Sequence, residues 1–565
     1  MGKIEKARAL WRDRENQLRY IRWLSKYSKP YLGRIFLVMF LSILESVIAL
    51  AMALVSKEII DNATAGGRSR VLVLIGVYFG MILITQAMEI VLTLVRAMLS
   101  ERFSFGIRKQ IYEKILTSQW LSIQKYHTGD LMTRLTSDAG AIADGIIGTI
   151  PEIISLVLEL VMVFFTLFYY SPLLAVFALL IAPVAVLAAG WLGKKLKAMQ
   201  VRVLESESAY RSFLQESIAN LMIMKTFANE EYASEKLVDL REKRFYWVFK
   251  KTKFSLFSAT SMSMSFQLGY IAAFTYGALQ VSAGAITYGT MSVFLTLVNR
   301  VQAPVMQLAQ QIPRAVSVLA SAGRVIELQN VPSENYGDVT IDTEKLGLKA
   351  EHVSFGYTEE EVLSDVSLKV EPGEMIAVVG ESGIGKTTLI RLAMSFLQAG
   401  QGSLSYYDSE GREQQVNGAC RRFISYVPQG NTLFSGTIKE NIRMGRLDAT
   451  EEEMLEALKL ASGYEFVQKL PKGLDTVIGE RGHGLSEGQA QRIAIARALV
   501  RKAPFLILDE ATSALDEATE LKVLEGVRRQ EPKPTCILIT HRRSVLQYCD
   551  REIRIENKKV ISPAE

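Results

Sequence analysis

Cysteine is scarce. Cys420, Cys536 and Cys549 are the only three, and the first 419 residues have none. An odd number at those spacings excludes a disulfide framework and matches no zinc pattern. The Cys-free first 419 residues also exclude a cysteine-protease domain at the N-terminus. Charge is also sparse: Asp, Glu, Lys and Arg make up 22% of the chain against 49% hydrophobic residues. A net charge of +6 over 565 residues is too small to imply nucleic acid as a partner. The apolar content excludes intrinsic disorder, and a mean hydropathy of +0.17 excludes a chain made wholly of soluble domains. The early apolar core of a cleaved signal peptide is missing, and Glu5, Asp13 and Glu15 count against a transit peptide.

The apolar residues are concentrated in the first half of the chain. A membrane-spanning helix needs about 20 mainly apolar residues. Six stretches qualify: Gly33–Val55, Val71–Met98, Ile146–Tyr170, Leu173–Leu192, Phe257–Val281 and Tyr288–Gln310. Lys and Arg crowd the first thirty residues and the segment between spans four and five, and are absent from Ser171–Pro172 and Ser282–Thr287. By the positive-inside rule the N-terminus, the two long connections and the C-terminal half face the cytoplasm. Trp11, Trp23 and neighbouring apolar residues among those early cations predict a helix lying on the inner membrane surface. The connections 99–145 and 193–256 read as helical hairpins reaching below the membrane, with breaks near Tyr126–Asp130 and Asn220–Glu230. The expected organisation is an interfacial helix over 1–32, a transmembrane domain over 33–325, a linker over 326–345 and a soluble domain over 346–565.

The soluble half opens with a phosphate-binding pattern. Gly380-x-x-x-x-Gly385-Lys386-Thr387 follows the apolar strand Met375–Val379 and precedes an amphipathic helix, the context a P-loop requires. Its glycines let backbone N–H groups curl around phosphate oxygens, with the helix N-terminus adding partial positive charge. Lys386 can reach the β- and γ-phosphates, and the Thr387 hydroxyl can ligate Mg²⁺. A second apolar run, Phe505–Leu508, ends in paired carboxylates. There Asp509 can hold the Mg²⁺ shell while Glu510 orients and deprotonates the attacking water.

Gly380–Thr387, Leu485-Ser486-Glu487-Gly488-Gln489 and Phe505–Glu510, in that order, resemble the nucleotide-binding domain of ATP-binding cassette (ABC) transporters. Tyr357, Gln429, Leu433–Ile442, Ser513–Asp516 and His541 extend the match. With six spans ahead of it, the chain resembles the exporter branch, as a half-transporter. The fold class this implies is a membrane all-α six-helix exporter-type domain plus an α/β P-loop NTPase domain of the ABC type.

The resemblance also implies roles. Glu510 would be catalytic, with His541 on the γ-phosphate and Gln429 sensing Mg²⁺ and the water. Tyr357 would stack on adenine, while Gly380, Ser382, Gly383, Gly385, Lys386, Thr387 and Thr388 hold the phosphates. Ser486, Gly488 and Gln489 would bind the γ-phosphate of ATP held on the other subunit. Thr387, Gln429 and Asp509 would serve Mg²⁺. Asp516 would lie at the seam, and Thr476–Gly482, with Glu480, would contact the hairpins. His127, His352 and His483 read as structural or surface residues.

A half-transporter implies a second subunit in the cytoplasmic membrane, and ATP binding would close the pair by its preference for the closed state. Export or lipid flipping follows; an ATP-gated channel or regulator on the same frame is the alternative. Glu487 stands where the family usually has glycine. A heterodimer with one weakened site and a homodimer both fit that substitution. The chain stops soon after Glu552–Ile555, so the helical tail usual in the family is expected to be short. Intramembrane carboxylates are functional candidates. If Glu45 and Glu159 face the cavity, a cationic or amphipathic peptide or drug fits; if they pair with Arg96, Arg300 or backbone groups, they only fix packing.

Overall fold

The computed structural model describes residues 18–341, 345–381, 383–430, 432–479 and 482–561, with side chains described throughout except at 173–191, 262, 302, 309 and 312. Ser382, Glu480, the first part of the expected interfacial helix (1–17) and part of the expected linker (342–344) therefore lie outside the described residues. The chain forms two compact units, one of residues 1–114 and 128–330, the other of 115–127 and 331–565.

The first unit is helical. Its long helices are α1 (Leu32–Thr64), α2 (Arg68–Thr117), α3 (Ile150–Tyr170), α4 (Pro172–Ala219), α5 (Glu230–Ser282) and α6 (Tyr288–Gln329). The continuous helical runs 18–64, 68–117 and 128–170 are long and apolar enough to cross a membrane. The fourth expected span lies in α4, where side chains 173–191 are not described. The fifth and sixth are not among the three apolar runs, because Ser258, Ser261, Ser265 and Gln267 interrupt α5 and Asn299, Arg300 and Gln307 interrupt α6. Large side chains such as Phe79, Leu94 and Phe165 point outward, where lipid replaces water as solvent. Inside, Val163 and Leu167 of α3 pack on Val293, Phe294 and Leu297 of α6.

Two single-turn π segments, Arg134–Asp138 and Gly145–Thr149, interrupt the run into α3. Such turns mark local strain or function inside helices. Here they bring Asp138, which is buried, onto Ser321 (2.9 Å) and Arg324 (2.7 Å from Nε) of α6. Arg134, also buried, reaches Asp130 at 3.0 Å and Glu327 at 3.1 Å. Gly145 allows this approach, since a Cβ there would overlap the methyls of Val318. The carboxylates expected inside the membrane differ in their partners. Glu159 lies 3.6 Å from Arg300, whereas Arg96 donates to Ser42 (2.8 Å) and is not bonded to Glu45.

The second unit contains β1 (Gly347–Gly356), β2 (Glu361–Val370), β3 (Met375–Gly380), β4 (Gln401–Tyr407), β5 (Glu413–Gln415), β6 (Ile424–Val427), β7 (Gly436–Thr437), β8 (Val477–Ile478), β9 (Phe505–Asp509), β10 (Thr535–Ile539), β11 (Arg551–Glu556) and β12 (Lys559–Ile561). The antiparallel sheet β2-β1-β4-β5 stands beside a six-stranded sheet of order β12-β11-β3-β10-β9-β6, parallel from β11 to β6. The fully buried runs Phe505–Asp509 and Thr535–Ile539 have the continuous apolar character that two-sided cover demands. Parallel register puts Ile539 beside Asp509 and beside Val378, so the carboxyl ends of β3, β9 and β10 emerge together. In open α/β sheets this is the edge at which ligands bind.

Residues 115–127 depart from the expected division. They interrupt the stretch expected to be membrane domain, and α2 already ends at Thr117, ahead of the break expected near Tyr126–Asp130. The backbone explains their placement: Gln119 N donates to Pro332 O (3.0 Å) and Glu334 N to Thr117 O (2.8 Å). The short helix Trp120–Ile123 adds Trp120 against the Phe396 ring (5.6 Å between centroids) and Leu121 against the core of this unit. The second expected break, near Asn220–Glu230, is present as the short helix Leu221–Thr226 in the first unit.

Candidate active site

The P-loop is the turn from β3 into α7 (Lys386–Ala393). Gly380, Gly383 and Gly385 adopt φ of 153°, 82° and 112°, a region open to glycine but strained for other residues. A Cβ on Gly380 would meet Ile555 O at 2.7 Å, and one on Gly385 would meet Leu363 at 2.9 Å. Lys386 is buried, and its ammonium donates to Gly380 O (2.6 Å) and Glu381 O (3.0 Å) inside the curve of the loop. Burial lowers its pKa, while the Glu510 and Asp509 carboxylates act the other way.

Three strand ends deliver the acid–base groups to this loop. Asp509, buried at the end of β9, accepts from Tyr426 (3.3 Å) and from the Thr387 hydroxyl. Burial raises its pKa, with those two hydrogen bonds opposing. Glu510 follows at φ 49°, which turns its side chain off the strand. Gln429 Nε2 donates to Glu510 Oε2 at 2.6 Å, and His541 Nε2 lies 3.2 Å from Glu510 Oε1. The same nitrogen is 3.3 Å from Lys386 Nζ. As N–H it donates to Glu510; as a bare nitrogen it accepts from Lys386, so the tautomer of the ring decides which partner it holds. Tyr357, partly exposed, packs edge-on to Phe355 and accepts from Arg391 (3.2 Å), with its hydroxyl 3.4 Å from that of Thr388.

Ser486, Glu487 and Gly488 lie elsewhere. They line a cleft of about 550 Å³ with Arg492 and Asp516, separate from the cleft of about 560 Å³ that holds Gly380 and His541. Ser486 caps the helix α8 (Glu487–Leu499) in a capping box: Gln489 N donates to Ser486 Oγ, and Ser486 N to Gln489 Oε1. The Gln489 side chain, expected on nucleotide, is therefore bonded to the cap. Gly488 lies against the next loop, where a Cβ would stand 2.9 Å from Ala514 O. One chain thus carries a phosphate loop with its acid–base groups and, apart from them, a capped helix N-terminus suited to anions.

The family model described as the ABC transporter transmembrane region matches residues 35–305, and that described as ABC transporter matches 363–513. An ATP-dependent lipid A-core flippase of Desulfotalea psychrophila is 30% identical over 543 residues, 94% of this chain and 94% of that protein. The chain belongs to the ABC transporters. A flippase of the same description from Syntrophus aciditrophicus is 29% identical over 95% of this chain and 90% of its own length. A putative multidrug export ATP-binding/permease protein of Staphylococcus aureus is 29% identical over 95% of each chain. An ATP-bound bacterial Atm1-family ABC exporter superposes with a TM-score of 0.80 at 23% identity over 94% of each chain, a likeness of fold.

This ABC transporter is an exporter-type half-transporter, with a helical membrane domain fused to a P-loop ATPase domain, as the sequence resemblance implied. It crosses the membrane several times, keeps its nucleotide-binding domain in the cytoplasm and uses ATP with Mg²⁺. The residues present fit Mg²⁺. Thr387 and Asp509 offer hard oxygen ligands beside the phosphate loop, with the Thr387 hydroxyl next to the Asp509 carboxylate. That is the usual arrangement for Mg²⁺, which keeps waters and phosphates as its other ligands and neutralises charge on the phosphates when bound.

Several residues that position the site escape a reading by motif. Glu520 is fully buried in the helix α9 (Glu517–Arg528), where it accepts from Thr512 (2.6 Å) and pairs with Arg542 (2.8 Å). Arg542 also donates to Ser513 O (2.9 Å) and Leu515 O (2.8 Å), tying the loop after Glu510 to the residue after His541. Gln491 of α8 holds the same loop through Ala514 N (3.1 Å). Arg497 donates to Thr432 O (3.1 Å) and Oγ1 (2.9 Å), fixing the segment that follows Gln429. A charged residue on the buried side of α9 was the one signal in the sequence.

Proposed function

We propose that this transporter moves an amphipathic molecule from the cytoplasmic side of the membrane to the outer leaflet or beyond, driven by ATP held between two half-transporters. In this reading Gly380–Thr388 and Tyr357 hold nucleotide, with Ser382 completing the loop. Thr387, Asp509 and Gln429 serve Mg²⁺, Glu510 is the general base, and His541 contacts the γ-phosphate. Ser486 and Gly488 of the partner close the site. The separation of the signature cleft from the P-loop within one chain supports this most directly, because anion-binding groups that do not meet in one subunit need a second to meet. The amphipathic cargo is supported by relatives described as lipid A-core flippases and multidrug exporters.

Mg-ATP hydrolysis by this chain purified alone in lipid, beside a Glu510→Gln control, tests the reading. Hydrolysis abolished by the substitution is expected if two copies suffice. Activity no higher than the control would overturn the homodimer and direct the search to a partner with an intact signature.

A further inference from the structure

In the first unit a cavity of about 480 Å³ opens between α2, the π segment leading into α3, and α6. That volume lies in the range of about 300–1,000 Å³ typical of small-molecule sites. Its wall carries two guanidinium groups, Arg96 and Arg314, and two carboxylates, Asp144 and Glu152. These charges do not neutralise one another. Arg96 donates through Nη2 to Ser42 (2.8 Å), leaving its buried Nε without a partner. Asp144 accepts from Ser100 (2.7 Å). Arg314 and Glu152 line the cavity with no hydrogen-bond or ion-pair partner among the described residues.

We propose that this cavity binds the headgroup of a zwitterionic amphiphile, one bearing both an anionic group and a protonated amine. The inference rests on the amphipathic cargo proposed above and names its class. A purely apolar ligand would strand Arg314 and Glu152 without a partner and leave Arg96 and Asp144 with one serine hydroxyl each, and charged groups are costly to desolvate without a countercharge. A purely anionic one meets Asp144 and Glu152, and a purely cationic one meets Arg96 and Arg314. A headgroup with both charges satisfies all four: its phosphate or carboxylate bridges the guanidiniums, which favour planar two-oxygen recognition, and its ammonium reaches the carboxylates. Depth agrees. The helix α3, Ile150–Tyr170, is as long as a bilayer's hydrocarbon core is thick, given the rise of an α-helix per residue. Glu152 in its first turn and Asp144 ahead of it therefore lie at the inner headgroup level.

The test is equilibrium binding to the full chain in non-ionic maltoside micelles without ATP. The probe is radiolabelled dihexanoyl-phosphatidylethanolamine, competed by dihexanoyl-phosphatidylglycerol, a hexyl ammonium salt and soluble glycerophosphoethanolamine. The zwitterionic lipid is expected to bind about tenfold more tightly than each competitor, since losing one charge-assisted hydrogen bond is worth about that factor. Arg314→Gln and Glu152→Gln should each weaken it about tenfold, and the exchange Arg314→Glu with Glu152→Arg should recover most of the loss. Equal binding of phosphatidylglycerol, or single variants within about twofold of the parent, overturns the proposal. Equal binding of soluble glycerophosphoethanolamine overturns the membrane source. The competitor series needs no variant, so a misfolded one cannot hide the answer. Loss of lipid binding with hydrolysis intact refutes only this site, whereas absent hydrolysis with lipid binding intact refutes only the ATP-driven homodimer.

Discussion

Glu510 occupies an unusual position: a left-handed residue at a strand end, with one carboxylate oxygen on Gln429 and the other near His541. Glu510→Gln keeps the shape and removes the base, so hydrolysis measured as phosphate release should fall about 100-fold or more while ATP still binds. Arg542 makes a different contribution. Its loss leaves the Glu520 carboxylate buried with only Thr512 as partner. Arg542→Gln should therefore lower stability by about 2 kcal/mol in denaturant unfolding, the scale of a charged group left buried without its partner. It should also loosen the loop at Ser513–Leu515. The first of these residues was legible in the sequence, because a strand ending in paired carboxylates after a P-loop has few other uses. The second was not: nothing in chain order joins Glu520 to Arg542, and only the return of β10 beside β9 brings them together.

At the level of elements, α8 depends on its cap. Ser486→Ala removes one half of the capping box, with an expected loss of about 1 kcal/mol. That effect can be separated from nucleotide contact by measuring unfolding with and without ATP: a cap effect alone is equal in both, and a contact effect widens with ATP. The segment 115–127 is the element whose place the sequence did not reveal. Its apolar residues read as part of a long helix, yet Trp120 and Leu121 pack against Phe396 and the core of the second unit. Leu121→Ala gives up part of a side chain's burial, so amides across 115–127 should exchange about tenfold faster. Unchanged exchange would show that the backbone bonds to Pro332 and Glu334 hold it unaided.

For the whole molecule, the separated clefts lead to a prediction about pairing. Lys386→Ala and Ser486→Arg chains should each be inactive alone, since both sites of a homodimer carry the lesion. Mixed and co-assembled, they form dimers with one doubly damaged and one intact site, so hydrolysis should return in part. No recovery in verified mixed dimers would mean that the two lesions do not act at one shared site. The sequence by itself determined the class of molecule. Apolar run length answers to membrane thickness, cation placement answers to insertion, and a P-loop's spacing answers to the size of a phosphate chain. All three are local constraints, so they can be read in chain order. The tertiary structure alone decided which charges meet: that Asp138 faces Arg324, that Arg542 holds Glu520, and that Arg96, Asp144, Glu152 and Arg314 share one cavity. These are encounters between residues far apart in the chain, set by sheet register and by the close approach that Gly145 permits. Nothing local fixes such pairs, because a charged side chain carries no record of its partner until packing removes it from water.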